Sequence, residues 1–388
     1  MTHLTQQPWL TAASSRLVLG ALANDGATPR FVGGCVRDGL LGRASTDLDI
    51  AIDQLPEDSM RLLEAAAIKV IPTGLKHGTI TALAKGQHFE ITTLRVDVET
   101  FGRHARVAFT DDWQLDAARR DFTINAIYTD RDGQLYDPVG GQADLAAGLV
   151  RFVGDAAQRI TEDKLRILRF FRFFALYGRG GPDAAALAAC AAAAPGIAGL
   201  SGERVSAEVF KLLAAANPLP SLQLMAEAGV LSQILPDGFD LDGLARSDND
   251  PLRRLSAIAS AGAAAIAKRL RLSKQQASRL NFLIDPPAKL SPEIARPALR
   301  QLLYDHGANQ ISDLALQQGV PELLPRIDEA TPPPFPLKGS DALALGMHAG
   351  PEIGNILRSL EDEWRANDFA ASRDELLAAL TDLKMDKG

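Results

Sequence analysis

The spacing of apolar residues changes character near residue 150, and that change limits the chain to a fold of two unlike parts. Before it, short β-like runs at Arg30–Val32, Leu48–Ile52, Lys69–Ile71, Thr79–Ala84, His88–Leu94, Val107–Phe109, Ile124–Thr129 and Leu135–Tyr136 are separated by Gly, Asp and Pro. Helical spacing intervenes at Thr11–Ala23, Val36–Leu41 and Asp58–Ala67. From Thr161 onward the period is helical almost throughout, in ITEDKLRILRFFRFFALYG, the Ala-rich DAAALAACAAAAP, SGERVSAEVFKLLAAA and SLQLMAEAGVLSQIL. The expected fold class is α+β: a small mixed β-sheet with helices over residues 1–150, then all-helical segments at 151–215, 216–330 and 331–388. The cluster Pro332-Pro333-Pro334-Phe335-Pro336 marks the last boundary.

At 388 residues the chain is too long for one ordinary core. No apolar run reaches the roughly 18 residues of a membrane helix. The N-terminus also lacks a basic segment followed by an apolar one, so the expected location is cytoplasmic. Cys35 and Cys190 stand far apart without ligand spacing, which implies neither a disulfide framework nor a zinc site. The six histidines are scattered, against a histidine-based metal hydrolase. A net charge of −7 disfavours indiscriminate coating of nucleic acid and still permits a local basic groove.

The segment RFVGGCVRDGLLGRASTDLDIAI carries the first chemistry. Gly33-Gly34 after a strand lets the backbone turn tightly and bring free N–H groups of the next helix to a phosphate, although a plain turn has the same look. Asp47 and Asp49 share one face of extended chain, their side chains rooted roughly 7 Å apart. Two like charges there repel unless a cation lies between them, and hard oxygen ligands suit Mg²⁺ shared with substrate phosphates. Against this stands the solvated edge of a half-buried strand, the reading also given to Asp53. Glu90 completes a two-metal cluster if its strand neighbours that of Asp49, and is otherwise an exposed strand residue.

Four motifs together carry a resemblance: GGCVRDGLLGRASTDLDIA, then RRDFTINA at Arg119–Ala126, then EDKLRILRFFRF, then SGERVSAEVFKLL. In this order, from about residue 30 to 213, they resemble the signatures of the class II polymerase-β-type nucleotidyltransferases, the family of tRNA CCA-adding enzymes and bacterial poly(A) polymerases. The tail PLKGSDALALGMHAGPEIGNIL is also similar to family members, which extends the resemblance over most of the chain.

The resemblance implies a nucleotidyltransferase head at 1–150, a neck with a nucleobase-template helix at 151–215, a body at 216–330 and an RNA-binding tail at 331–388. It implies catalytic roles for Asp47, Asp49 and Glu90, with Asp47 and Asp49 holding Mg²⁺. It places Gly33, Gly34, Arg37, Arg120, Asp121, Asn125, Asp163, Arg166 and Arg169 around the nucleotide.

Physical readings accompany these roles. Arg119 and Arg120 offer permanently charged donors to phosphate or ribose, or form a surface pair balanced by Asp116 and Asp121. Asp163 and Arg166, three apart, are expected on one helix face, ordinarily a surface salt bridge. In the family such a pair reads the Watson–Crick edge: the carboxylate accepts from the amine of cytosine or adenine, and the guanidinium donates to ring acceptors. The SGERVSAEVFKLL helix, capped by Ser201, is expected to buttress this helix through Glu203, Arg204 and Glu208.

Arg95–Asp112 reads as a polar loop. In the family the corresponding element serves the switch from cytidine to adenosine addition, and Phe101 before GRHA departs from the polar residue expected there. Gly350 and Gly354, around Pro351 at a helix start, are the candidate RNA contacts.

The implied function is template-independent addition or repair of the 3′-terminal CCA of tRNA from CTP and ATP, with Mg²⁺ as cofactor and the tRNA 3′ acceptor end as partner. Alternatives are a poly(A) polymerase, an enzyme adding only A, or an inactive RNA-binding scaffold. The last is disfavoured by the presence of Asp47, Asp49, Asp163 and Arg166.

Overall fold

A computed structural model describes residues 4–385 except 102, 103, 236 and 261. The chain forms two compact units, Met1–Phe239 with Lys268–Arg271, and Asp240–Ala267 with Leu272–Gly388. Among the described residues no helix is long and apolar enough to cross a membrane.

Nine strands are found among the described residues, all in the first unit. They are β1 (Arg30–Val32), β2 (Leu48–Ile52), β3 (Lys69–Gly74), β4 (Thr79–Ala84), β5 (Gln87–Thr93), β6 (Arg95–Phe101), β7 (His104–Phe109), β8 (Tyr128–Thr129) and β9 (Leu135–Tyr136). Seven form a mixed sheet in the order β3-β4-β5-β2-β1-β8-β9, and β6 and β7 pair separately. β2 and β5 run parallel. Their connection is long enough to include the helix Pro56–Ala65, β3 and β4. Phe31, Ile50, Ile52, Phe89 and Ile91 are almost wholly buried, since alternate strand positions face the core.

Helices follow, notably Ala156–Glu162, Leu165–Tyr177 and Gly202–Leu213. Phe170 and Phe171 of Leu165–Tyr177 are fully buried, and Phe122 lies 5.1 Å from Phe173 and 6.5 Å from Phe170 between ring centroids. This aromatic packing seats the helix against the RRDFTINA turn. The second unit is helical, with one core around Leu299, Ile311, Leu314 and Ile327. A further core gathers Ile356, Leu360, Trp364, Phe369 and Leu380.

Four sequence expectations are corrected. Arg95–Asp112 is not a loop through its length, because Arg95–Phe101 and His104–Phe109 pair as an antiparallel hairpin. The alternation of Val96 and Val98 with Asp97 and Glu99 is a period of two, which the charge content obscured. Gly102 and Arg103 of GRHA, and the Phe101 side chain, lie outside the description. Ile124–Thr129 is a strand only at Tyr128–Thr129, since Thr123–Asn125 forms a single 3₁₀ turn. EDKLRILRFF is not one helix: Asp163 is extended at φ −151°, ψ 109°, ending Ala156–Glu162 before Leu165 begins the next. Ser201 holds the N-cap position of Gly202–Leu213 without a side-chain capping bond.

Candidate active site

Strand pairing brings Asp49 and Glu90 together. The parallel register sets Asp49 opposite Glu90, and β4 sets Thr81 opposite Glu90 from the other side. Asp47, exposed, lies one residue before β2. The three carboxylates and Thr46, Thr81 and His88 border a cavity of about 420 Å³. Asp49 is half-buried. Burial and the charges of Glu90 and Asp47, opposed by Arg120, push its carboxyl up to about 6.

Among the described residues no three Asp, Glu, His or Cys side chains converge on a point that could hold a metal ion. β5 does neighbour β2, the adjacency on which the expected third carboxylate depended, and residues opposite one another on strands about 4.8 Å apart project in parallel. Asp47 and Asp49 still fit a divalent cation, being hard oxygen donors open to one cavity. The raised Asp49 carboxyl registers burial first and then the negative charge of Glu90 and Asp47, which a cation would offset.

On the other side of β2, toward β1 and β8, the motifs meet in a continuous polar network. Gly33 turns the chain out of β1 at φ +73°, ψ −124°, a conformation L side chains seldom adopt. A Cβ there would lie 3.9 Å from Arg120 Nη1 and 3.7 Å from the Asn125 carbonyl. Gly34 opens the helix Gly34–Leu40, which carries Arg37. Arg37, 7 % exposed, donates to Asn125 Oδ1 at 2.5 Å and to both oxygens of Asp38. Its guanidinium also lies 4.3 Å from the Tyr177 ring centre.

Asn125 Nδ2 donates to Asp121 Oδ1 at 3.0 Å, and Arg169 Nε donates to Asp121 Oδ2 at 2.7 Å. Arg169 and Asn125 hold the Asp121 carboxyl below the usual range despite its burial. The Asn125 side chain is thus engaged by Arg37 and Asp121.

Asp116 is the buried anchor of the arginine pair, at 1 % exposure. It accepts from Arg119 Nε at 2.8 Å, from Arg120 Nη2 at 3.0 Å and from the Tyr128 hydroxyl at 2.8 Å. Burial works against its charge, but Arg120 and Arg119 hold it at about 2. The surface reading of this pair is therefore wrong.

Asp163 and Arg166 do not share a helix face. Asp163, outside the helix, accepts from the Leu165 N–H at 3.0 Å and from Arg204 Nη2 at 2.6 Å. Arg166 pairs with Glu162 and donates to the carbonyls of Arg159 at 2.9 Å and Arg119 at 3.2 Å. Three of its five N–H groups are so occupied, leaving two. Glu208 sits 3.0 Å from Arg172 and 4.0 Å from Arg169, so Gly202–Leu213 grips this region through Arg204 and Glu208, while Glu203 is exposed.

Sequence reasoning overlooked Tyr177, Asp144 and Gly141. Thr123 Oγ1 donates to Asp144 Oδ2 at 2.5 Å, and a Cβ on Gly141 would lie 2.1 Å from the Thr123 carbonyl oxygen. The Gly140-Gly141 pair was the available signal. Asp53 is half-buried and accepts the Thr28 N–H at 2.7 Å, so it ties a loop rather than forming a solvated end. Cys35 and Cys190 are both buried and unpaired, and burial pushes the Cys35 thiol up to about 12. In the second unit, Gly350 is the extended N-cap of Pro351–Ala366, with Glu352 in its first turn, and both Gly350 and Gly354 are exposed.

Residues 29–151 match the family model of the poly A polymerase head domain, and residues 182–241 match that of the probable RNA and SrmB-binding site of polymerase A. The fold and the motifs that it joins define a nucleotidyltransferase of the polymerase-β type. The chain is 37% identical over 373 residues to the mitochondrial CCA tRNA nucleotidyltransferase 1 of Danio rerio, covering 91% of this chain and 86% of that protein. Identity to the CCA-adding enzyme of Geobacillus stearothermophilus is 40% over 221 residues, 56% of this chain and 53% of the relative. The crystal structure of the Bacillus stearothermophilus CCA-adding enzyme in complex with CTP superposes with a TM-score of 0.80 at 25% identity, covering 100% of this chain and 99% of that one. A Thermotoga maritima CCA-adding enzyme complexed with tRNA shares the fold, with a TM-score of 0.63 at 21% identity over 94% and 93% of the two chains. This chain belongs to the CCA tRNA nucleotidyltransferase family.

Proposed function

We propose that this chain adds or repairs the 3′-terminal CCA of tRNA, joining CMP and AMP units from CTP and ATP and releasing pyrophosphate. The observation that carries the reading is the carboxylate row of β2 and β5 lying beside a polar network that ties together all four motifs.

In this reading the oxygen of the RNA 3′-hydroxyl bonds to the α-phosphorus of the incoming nucleotide. The bond from that phosphorus to the α,β-bridging oxygen breaks, and the hydroxyl proton passes to Glu90. Asp47 and Asp49 would hold Mg²⁺, which would supply stabilisation of the negative charge that develops during the transfer. The Gly33-Gly34 turn and Arg120 meet the triphosphate, and Arg37, Asp121, Asn125 and Arg169 shape the wall for the ribose.

Asp163 keeps oxygen lone pairs for the exocyclic amine of cytosine or adenine. The two remaining N–H groups of Arg166 are directed to a ring acceptor. Uracil and guanine place a carbonyl where Asp163 needs a donor. The division into head, neck, body and RNA-binding tail, the tail contacts of Gly350 and Gly354, and a cytoplasmic location belong to the same proposal.

The test offers tRNA lacking CCA, ending in CC and ending in CCA, with CTP and ATP supplied separately and together, and sequences the products. Stepwise completion to CCA and no further growth is expected. ATP incorporation on the CC-ended substrate with no CTP incorporation on any of the three would replace the reading by an A-adding enzyme, and long A tails on unrelated RNA by a poly(A) polymerase.

A further inference from the structure

The helix Leu165–Tyr177 carries Arg166 in its first turn and ends on Tyr177, which belongs to none of the four motifs. Arg169, Phe173 and Tyr177 are spaced four apart and so lie on one stripe of that helix. From Arg169 to Tyr177 the helix advances about 12 Å.

Both ends of the stripe are fastened to the motifs that precede the helix in the chain. Arg169 Nε donates to Asp121 Oδ2 at 2.7 Å, and the Tyr177 hydroxyl donates to Asp38 Oδ1 at 2.9 Å. Between these points the remaining links close a circuit. Arg37 donates to both oxygens of Asp38 and to Asn125 Oδ1, and Asn125 donates to Asp121. Burial and the Asp38 carboxylate, opposed by Arg37, hold the Tyr177 hydroxyl above its usual range, so it stays a donor at neutral pH.

The ring of Tyr177 adds contacts of its own. The Arg37 guanidinium lies 4.3 Å and that of Arg43 5.0 Å from its centre, and Phe173 stacks on it at 5.6 Å. Arg43 lies between the helix Gly34–Leu40 and β2, on the segment that leads to Asp47. Its Nη1 and Nη2 each donate to the Leu176 carbonyl at 3.4 Å. That carbonyl belongs to the last turn of the helix, where the backbone offers acceptors and the dipole favours a cation.

A helix held at one point can pivot there. Held at two points about 12 Å apart, it cannot tilt or turn against the Arg37–Asn125 wall without breaking a bond. The distinction matters for Arg166, because a hydrogen-bonding site must keep its groups within about 0.5 Å of the productive geometry. The end of the helix remote from Arg166 is thus tied both to the wall assigned to the ribose and to the segment before Asp47.

We propose that Tyr177 is a positioning residue for base choice. Its hydroxyl on Asp38 and its ring on Arg37 and Arg43 set the helix Leu165–Tyr177 against the nucleotide wall, and so set where Arg166 meets the base. This rests on the nucleotidyl-transfer reading of the site, with Asp163 and Arg166 as the base-reading pair.

The full chain is compared with Tyr177→Phe, which keeps the ring, and Tyr177→Leu, which removes ring and hydroxyl, with thermal melting to confirm that each folds. CTP competes against UTP on tRNA lacking CCA, ATP competes against GTP on tRNA ending in CC, and the products are sequenced. Tyr177→Phe is expected to lower both preferences roughly three- to tenfold, the worth of about one hydrogen bond. Tyr177→Leu should lower them further, since the contacts of the ring with two guanidinium groups are lost as well. KM for RNA should stay within about twofold, a change below that of one hydrogen bond. Folded variants that keep the wild-type preferences would overturn the role of Tyr177, as would a loss of incorporation shared equally by all four nucleotides. A wild type that takes UTP as readily as CTP would instead remove the base-reading pair, and one that incorporates no nucleotide into any acceptor would remove the transfer reading itself.

Discussion

Asp49 and Glu90 stand opposite each other on adjacent parallel strands, so the sheet holds two carboxylates as direct neighbours. Such a pair destabilises the sheet. The Asp49 carboxyl, normally near 3.8, is pushed up to about 6. Its charge is therefore disfavoured by folding, and the penalty is absent below pH 4 and complete above pH 6. In metal-free protein, Asp49→Asn should gain stability over the wild type as pH rises from 4 to 7, by at most about 3 kcal/mol. Nucleotide incorporation should fall by at least about 10²-fold. Denaturant titration at several pH values and a single-turnover assay check both parts.

Asp116 works in the opposite sense. Its folded pKa of about 2 lies below the usual 3.8, so its stabilisation is present above pH 4 and disappears as pH falls through about 2. The shift corresponds to roughly 2 kcal/mol. Asp116→Ala leaves Arg119 and Arg120 without their buried partner and should cost about 3–5 kcal/mol. Comparing acid unfolding of the two proteins measures it, and the low-pH loss seen in the wild type should be missing from the variant.

Arg204 fixes Asp163 from a helix that carries no proposed chemistry. Arg204→Ala should leave the fold intact and loosen base choice, raising UTP misincorporation relative to CTP by about tenfold, the worth of one oriented polar contact. Asp163→Ala should do so more strongly. Competition between CTP and UTP on RNA lacking its 3′ terminus reads the ratio directly.

Gly141 tests the backbone beneath the nucleotide wall. A Cβ at 2.1 Å from the Thr123 carbonyl oxygen cannot be accommodated without moving the Thr123–Asn125 turn. Gly141→Ala should cost about 1–3 kcal/mol or more. Because Asn125 links Arg37 to Asp121, KM for both nucleotides should rise together. Gly140→Ala is the control for space alone, having open room at its Cβ position, although its φ of +78° adds backbone strain of its own.

The sequence by itself determined the class of fold, the strand positions of β1, β2 and β4, and the motifs that supply most of the polar network, though not Tyr177, Asp144 or Gly141. These follow from local periodicity and from turn glycines such as Gly33, whose conformational demand is written in a single residue. Tertiary structure decided what those residues do to one another. The Asp163–Arg166 spacing suggested a helical pair, yet Asp163 is extended between two helices, held there by Arg204 and the Leu165 N–H. Asp116 looked like a surface counter-ion and is buried under two arginines and Tyr128. Glu90 could be matched to Asp49 only once β2 and β5 were known to be adjacent and parallel. Spacing along a chain fixes which face a side chain takes within one element. The partner that sets its charge and direction comes from another element, and that pairing is decided only when the elements pack.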